Sequence, residues 1–528
     1  MLLTLPIVFV GLPGAGKTKV GRILAKKLGV AHVDTDLLVE RREGRSVREI
    51  FAAQGEAAFR DMECAAVETA LRSHAVISLG GGAVTNPAVR DMLRGHSVVF
   101  LDVDHDELVR RTQGKTHRPL LADHPDEALR RLREERADLY AQVATYHEYS
   151  DSSPADEVAE RLYAHVQVPH RIVHVGGEKP YPVIIGRGSD ASDVAAGLRS
   201  TCTKILLIHA PSMLHQAHVL AEGLRALGYQ VHCADHPDAE AGKNIEVVTE
   251  LWDVAGRIRL GRHDAIVAVG GGATTDMAGF VAATWLRGID VIQVPTTVLA
   301  MVDAAVGGKT GINTQAGKNL VGSFHTPTRV IVDMDFLSTL PLEDMRSGVA
   351  EIAKCGFIRD GVITDLIVRH GADMLSHDSE VLMELVERSI RVKADVVSQD
   401  LHELGMREIL NYGHTLAHAI ERCENYRWRH GYAVAVGCVF AAELACARSV
   451  LDRESVDLHR HVFSLIGLPV CYEGASLSDV LSVMLNDKKV RSGQLRFVLL
   501  DGIGNPHVYR VSAEELTEPA RKVGLIHV

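Results

Sequence analysis

The 528-residue chain is poor in cysteine, and its eight cysteines form no CxxC pair and follow no regular spacing. That argues against a disulfide framework and fits thiols kept reduced in a cytoplasm. Basic residues are not in excess: 57 Lys and Arg stand against 68 Asp and Glu, a net charge of −11. A general nucleic-acid or anionic-membrane surface is not expected from that balance. Small anionic substrates stay open wherever Lys and Arg cluster locally. No apolar run approaches the roughly 18 residues of a membrane span. The opening MLLTLPIVFVG has neither basic leader nor cleavage site and runs into a glycine loop, so it reads as a buried first strand. Internal repeats and long disordered linkers are also lacking. What is present is ordinary globular composition, 46% apolar and 24% charged, at a length that calls for three or four units of roughly 150 residues.

The stretch REILNYGHTLAHAIERCENYRWRH, residues 407–430, carries the densest chemistry. Asn411, His414, His418 and Glu421 are spaced three, four and three apart, along one face of a helix. His430 follows after a short polar and aromatic loop. Imidazoles converging on one point suit a divalent metal such as zinc. Spacing alone pairs His414 with His418. A carboxylate from another segment would complete three ligands, and Glu351 in GVAEIAK is the candidate. A solvated helix with scattered histidines is the alternative in a chain with 27 of them.

Near the N-terminus, IVFVGLPGAGKTKVGRILAKKL predicts strand, loop and amphipathic helix. GLPGAGKT fits G-x-x-x-x-G-K-[ST] through Gly11, Gly16, Lys17 and Thr18. Its backbone N–H groups would cradle phosphates, Lys17 would reach the terminal ones, and Thr18 would hold magnesium. HVDTD puts Asp34 and Asp36 at a strand end, where carboxylates organise magnesium water or take a hydroxyl proton. FRDME carries Arg60 and Glu63, and SLGGGAV ends a third strand at Gly80, Gly81 and Gly82. Arg118 sits in KTHRPLL, a segment composed like a lid over phosphates, and Arg136 in ERADLY. Three arginines after such junctions suit a small carboxylate-bearing acceptor.

Taken together, GLPGAGKT, DTD, FRDME, SLGGGAV, HRPLL and ERADLY resemble shikimate kinase over residues 1–168. The resemblance implies an ATP and Mg2+ loop of Gly11, Gly14, Ala15, Gly16, Lys17 and Thr18. It implies shikimate binding by Asp36, Arg60, Gly80, Gly81, Gly82 and Arg136. Asp34 becomes the base or magnesium organiser, and Arg118 the lid residue.

A short join near Val168 and Pro169 separates this unit from an unlike one. KILLIHAP, YQVHCAD, DAIVAVGGGA and DVIQVPTT alternate with helical segments, which predicts a mostly parallel sheet with a dinucleotide at its strand ends. The run GGGATTDMAGF is a strand-to-helix turn but not the G-x-G-x-x-G fingerprint. Lys309 in GGKTG and Lys318 in AGKNLVG sit in glycine-bracketed segments read as phosphate-binding loops. From about Thr326 the chain reads as helices bearing Glu351, Lys354 and Lys393. Lys488 and Lys489 fall at a helix end.

VPTTVLAMVDAAVGGKTGIN, AGKNLVGSFHTP, FLSTLP, GVAEIAK, REILNYGHTLAHAIE, RHG and DKK resemble 3-dehydroquinate synthase over residues 170–528. The resemblance implies NAD and a divalent metal, zinc or cobalt, held by Glu351, His414 and His430, with His418 moved beside the substrate phosphate. It implies substrate contacts from Asp303, Lys309, Lys318, Asn319, Lys354, Lys393, Arg407, Asn411 and His418, several of them catalytic. NAD contacts fall on Glu240, Lys243, Gly271, Gly272, Asp276, Thr296, Thr297 and Thr339, with Lys309 and Lys318 beside them. Arg287 would reach the partner subunit's site, which implies a homodimer. Three positions depart from the pattern: Thr275 stands where many relatives have Gly, Tyr432 where many have Glu, and His209 and Ala210 where an acidic ribose contact is expected.

The sequence thus predicts an α/β P-loop kinase unit (1–168), a Rossmann-like NAD unit (170–325) and an all-helical metal and substrate unit (326–528), in a cytoplasmic two-enzyme chain. A P-loop kinase fused to a metal-dependent polyol dehydrogenase is the alternative. Each half carries its own motif set, so each is expected to fold and act alone.

Overall fold

The computed structural model describes residues 3–112, 125–150, 153–166, 170–485 and 495–525. Arg118, Lys488, Lys489 and the join at Val168 and Pro169 lie outside the described residues.

Five short strands form the first sheet: β1 (Ile7–Val10), β2 (His32–Asp34), β3 (Val76–Ser78), β4 (Ser97–Val103) and β5 (Tyr146–Ser150). Their order is β2-β3-β1-β4-β5, all parallel. In the inner strands β3, β1 and β4, apolar residues, chiefly valine and isoleucine, are buried on both faces, as a sheet covered by helices on each side requires. Helix α1 (Lys17–Leu28) starts at the phosphate-type loop, and α2 (Thr35–Glu43) starts where β2 ends. Helix α3 (Val47–Leu71) opens on a Ser46–Glu49 capping box and kinks at Gly55, whose φ is 81°.

In the second half run β6 (Arg171–Val175), β7 (Tyr181–Gly186), β8 (Lys204–His209), β9 (Gln230–Asp235), β10 (Ala265–Gly270), β11 (Asp290–Pro295), β12 (Lys309–Thr314), β13 (Gly317–Phe324) and β14 (Arg329–Asp333). The seven-stranded sheet has the order β6-β7-β14-β11-β10-β8-β9, parallel except for the antiparallel edge strand β6. The four anticipated strands are β8 to β11.

Three features differ from the expectation. The segments around Lys309 and Lys318 are not loops but the two strands of the antiparallel hairpin β12–β13. Their glycines serve strand contact: a Cβ on Gly322 would lie 2.1 Å from the Thr310 carbonyl oxygen. The region beyond 325 is not all helical: β14 returns to the central sheet, and β15 (Leu495–Leu500) pairs with β16 (Pro506–Val511). Finally, the helix His430–Ala447 has the length and apolarity of a membrane span, contrary to the reading of the sequence. It is 78% buried and packs as a central core helix among its neighbours.

The apolar cores of the two halves run together. One cluster joins Leu28, Val30 and Ala31 to Leu207, Val267 and Ile331. Gly29, at the end of α1, faces Ile172 and Ile184, leaving no room for a Cβ.

Candidate functional sites

The loop before α1 ends at Gly16, whose φ of 96° suits a residue without Cβ. Lys17 is buried, and its Nζ donates to the carbonyls of Gly11 (2.8 Å) and Leu12 (3.2 Å). Thr18 Oγ1 donates to Asp34 Oδ2 at 2.8 Å, while Asp34 Oδ1 accepts from the amides of Asp36 (3.1 Å) and Leu37 (3.4 Å) and so caps α2. Arg60 Nη1 donates to Glu63 Oε2 at 2.6 Å and its Nη2 to Glu56 Oε1 at 2.9 Å. Arg136 Nη1 and the Tyr140 hydroxyl both donate to the Gly81 carbonyl, at 3.0 and 2.5 Å.

The triple glycine closes this group from below. A Cβ on Gly80 would lie 2.2 Å from Glu63 Oε1, and one on Gly82 would lie 2.1 Å from Arg60 Nη2. Asp36 Oδ1, Glu63 Oε1 and Arg136 Nε are buried without a hydrogen-bond partner among the described residues. Burial first, then the Glu63 and Asp34 carboxylates, push Asp36 up to about 7. Orphaned donor and acceptor atoms side by side suit a ligand bearing both hydroxyl and carboxylate groups. Beyond the loop lies a cavity of about 470 Å³ lined by Gly14 to Thr18, Arg111 and Pro154.

In the second half, Glu351, His414 and His430 come together, their ligand atoms all within 4.8 Å of one another. Glu351 sits on the helix Leu342–Ile358, His414 opens the helix His414–Cys423, and His430 opens the helix His430–Ala447. Glu351 Oε1 is 3.3 Å from His414 Nε2 and 3.2 Å from His430 Nε2. His414 Nδ1 bonds the Tyr412 carbonyl at 3.1 Å, and His430 Nδ1 faces Glu421 Oε2 at 3.3 Å. His418 is exposed, its ring 5.3 Å from that of His414, and stands outside the cluster. The helical spacing alone pairs it with His414, but His430 reaches in from the next helix instead.

Close backbone crossings set this geometry. A Cβ on Gly437 would lie 2.0 Å from the Gly413 carbonyl oxygen, and one on Gly431 would lie 1.9 Å from that of Ser347. Burial opposes charge on His430, but its hydrogen bonds to Glu351 and Glu421 hold it up at about 10. Burial also disfavours the charged Glu351, yet Lys354 and the two imidazoles hold it well below the carboxylate range. The nest of carboxylates therefore draws in positive charge, the electrostatics of a cation site.

Around the cluster lie the expected cations. Lys354 is buried, 2.5 Å from Glu351 Oε2 and 2.7 Å from the Leu410 carbonyl. Lys393 is buried against Asp303, and Lys309 lies 2.5 Å from Glu403. Asn411 donates to Glu403 at 3.0 Å, and Arg407 to the carbonyls of Gly307 (3.2 Å) and Leu401 (2.6 Å).

At the turn after β10, Gly271 caps the helix Gly272–Thr284. Lys243 Nζ lies 2.5 Å from Asp276 Oδ2, and its carbonyl accepts from the Asn313 amide at 2.8 Å. The Thr296 amide donates to the Gly270 carbonyl at 2.9 Å, and Thr297 lies against Gly271. Glu240 holds Asn313 at 2.5 Å and faces Lys318 at 3.9 Å, and the Asn319 amide donates to Asn313 Oδ1 at 3.1 Å. Thr339 and Arg287 are exposed, and neither side chain has a hydrogen-bond or ion-pair partner among the described residues.

Four residues of these sites went unassigned from sequence. Glu421 lies on the same helical face as His414 and His418, so its signal was present. Glu63 follows Arg60 by one helical turn. Glu403 and Arg111 carried no pattern to separate them from surface charge.

The fold and sites define a P-loop small-molecule kinase joined to a Rossmann-like unit with a helical, metal-ligating partner. Residues 13–167 match the family model for shikimate kinase. Residues 234–347 and 348–490 match those for the N-terminal and C-terminal parts of 3-dehydroquinate synthase. A 3-dehydroquinate synthase of Nocardia farcinica is 53% identical over 340 residues, 64% of this chain and 91% of that one. The structure of 2-deoxy-scyllo-inosose synthase complexed with carbaglucose-6-phosphate, NAD+ and Co2+ is 27% identical with a TM-score of 0.61, over 67% of this chain and all of that one. Shikimate kinase from Acinetobacter baumannii, in complex with shikimate, is 36% identical over 30% of this chain and 91% of that one, with a TM-score of 0.29. The chain belongs to the 3-dehydroquinate synthase family and carries a member of the shikimate kinase family fused ahead of it. It is a bifunctional enzyme of aromatic biosynthesis.

Proposed function

We propose that Asp36, Arg60, Gly80, Gly81, Gly82 and Arg136 hold shikimate, and that Glu351, His414 and His430 hold a divalent metal beside NAD and a heptulosonate phosphate. The carrying observation for the kinase is the pocket of orphaned polar atoms closed by the triple glycine. It favours magnesium organiser over base for Asp34 and gives the base role to Asp36. Asp34 is committed to Thr18 and so to magnesium, whereas Asp36 faces the pocket with a free oxygen. Asp36, near 7, is matched to taking the proton of the attacking hydroxyl. Lys17 lies ready in the loop for the transferred phosphate. Arg60 and Arg136 orient the acceptor carboxylate.

For the synthase, the three-ligand cluster is the carrying observation, since two imidazoles and a carboxylate suit zinc or cobalt and leave room for substrate. When bound there, the metal would polarise substrate oxygens and NAD would supply reversible hydride transfer with no net redox change. Lys309, Lys354, Lys393 and Arg407 form the cationic setting for a phosphorylated substrate, with Asn411 and His418 at its edge. Lys243 and Asp276 fix the glycine turn against which the pyrophosphate of NAD would lie. Arg287 supports a homodimer: it is exposed on a turn where both Leu286 (φ 49°) and Arg287 (φ 66°) take left-handed backbone, a strained arrangement fit to present a side chain outward. A cytoplasmic location fits the biosynthetic role. Phosphate release from the heptulosonate phosphate with and without NAD, beside shikimate-dependent ADP formation, tests both readings. Accumulating NADH, or no ADP with shikimate, would reject them.

A further inference from the structure

The first half touches the second through α2, which starts at the acceptor-binding carboxylates, through the end of α1 and through His74. Helix α2 starts at Asp34 and Asp36 and ends at Arg41 and Arg42. Arg42 Nη2 donates to Thr69 Oγ1 on α3 (2.7 Å) and to the Ala226 carbonyl in the synthase half (2.8 Å). Arg41 lies over the Tyr229 ring, 5.2 Å from its centroid, and its Nη1 is 3.4 Å from the Tyr229 hydroxyl. Its stem rests on Gly228, where an added Cβ would come within 3.1 Å of Arg41 Cβ. The second anchor is at the end of α1. The Gly29 carbonyl accepts from Arg329 Nη1 at 2.6 Å, and Arg329 is buried on β14. A third is the His74 amide, which donates to Asp190 Oδ2 at 2.9 Å. Between the halves lies a cleft of about 900 Å³ that reaches Asp34 and Leu37 on one wall and Tyr181 and Tyr229 on the other.

A helix of nine residues has little stability of its own and takes its direction from what it packs on. Pinning its C-terminal end fixes where its N-terminal end points. Displacement of a reacting group by about 1 Å costs on the order of 10²-fold in rate. We propose that the synthase half is a positioning element of the kinase: Ala226 and Tyr229 hold α2 through Arg42 and Arg41, and thereby set Asp34 and Asp36 against the acceptor. Arg41 and Arg42 are positioning residues and touch no reacting atom. The inference rests on the assignment of Asp36 to the acceptor, so its test includes a measurement that needs no substrate.

In the intact chain, Arg41→Ala combined with Arg42→Ala is expected to raise the shikimate KM by about fivefold or more, leaving the ATP KM within about twofold and synthase turnover unchanged. Amide hydrogen exchange in α2 should speed up in the same variant. Thr69→Val, which removes only bonds within the kinase half, to Arg42 and to the Ala65 carbonyl, should leave the shikimate KM near its normal value. Tyr229→Leu, a change in the synthase half alone, should reproduce the KM split. If Tyr229→Leu does not fold, as lost synthase turnover would report, the arginine pair decides. Unchanged exchange in α2 would show that the docking is absent. Faster exchange with the shikimate KM and kcat both unchanged would show docking without positioning, and a parallel rise in the ATP KM would show general loosening. Each of these overturns the proposal.

Discussion

Glu421 Oε2 stands 3.3 Å from His430 Nδ1, so the imidazole that faces Glu351 through Nε2 has its ring orientation set from behind. Carboxylate–histidine pairs of this kind fix the tautomer and raise ligand basicity.

Glu421→Gln should therefore weaken metal binding by about 10- to 100-fold without removing a ligand. His430→Ala should lose the metal outright. His418→Ala should keep it and lose turnover. Metal content after dialysis against a chelator separates these outcomes, and equal content in all three variants would reject the division of roles.

Arg60 balances Glu63, which is 1% exposed. Arg60→Ala leaves that carboxylate buried and unpaired, at a cost of roughly 1.5–3 kcal/mol of acceptor binding or stability. The shikimate KM should rise strongly while the ATP KM changes little. Steady-state kinetics with each substrate varied in turn checks this, and an unaltered shikimate KM would rule the assignment out.

The pH dependence of the first half has a defined sign. Asp36 lies near 7 in the folded chain, above its ordinary value of 3.8. The folded state keeps a proton that the unfolded state releases between those values, so this stabilisation is full below about 4 and is lost as pH rises through 7. Asp36→Asn removes the titrating group. The gap between thermal midpoints at pH 5 and pH 8, measured without substrate, should then narrow, and a gap as wide as in the unmodified chain would contradict it.

Lys17→Ala removes the ammonium from between the Gly11 and Leu12 carbonyls. ADP formation should fall to background while phosphate release by the synthase stays intact. Loss of both activities in a folded, metal-containing variant would show that the halves are chemically coupled.

Much of this was readable in the chain. GLPGAGKT, DTD and the triple glycine marked where the candidate kinase residues gather, because each motif sits at a strand end. The four strands β8 to β11 announced themselves as apolar runs. The hairpin β12–β13 did not, because glycines needed for close strand approach look the same as glycines that cradle phosphate. The third member of the cluster escaped spacing: a helical repeat shows neighbours on one helix, and His430 arrives on another. Likewise the helix His430–Ala447 has the composition of a membrane span, and only its packing partners show it to be a core element. The docking of α2 left no local trace, since Arg41 and Arg42 look like any charged helix end.

The crossing at Gly413 and Gly437 bears on how the candidate metal centre tolerates change. His414 follows Gly413 directly, and His430 lies two turns before Gly437 on the same helix. The separation of the two imidazoles is thus written in a pair of residues that have no side chain. A single methyl group at either position, though it belongs to no ligand side chain, would act as a spacer between the two helices. The gauge of the ion that fits is set where no ion is touched, and a survey confined to ligands would pass over the positions most able to abolish the site.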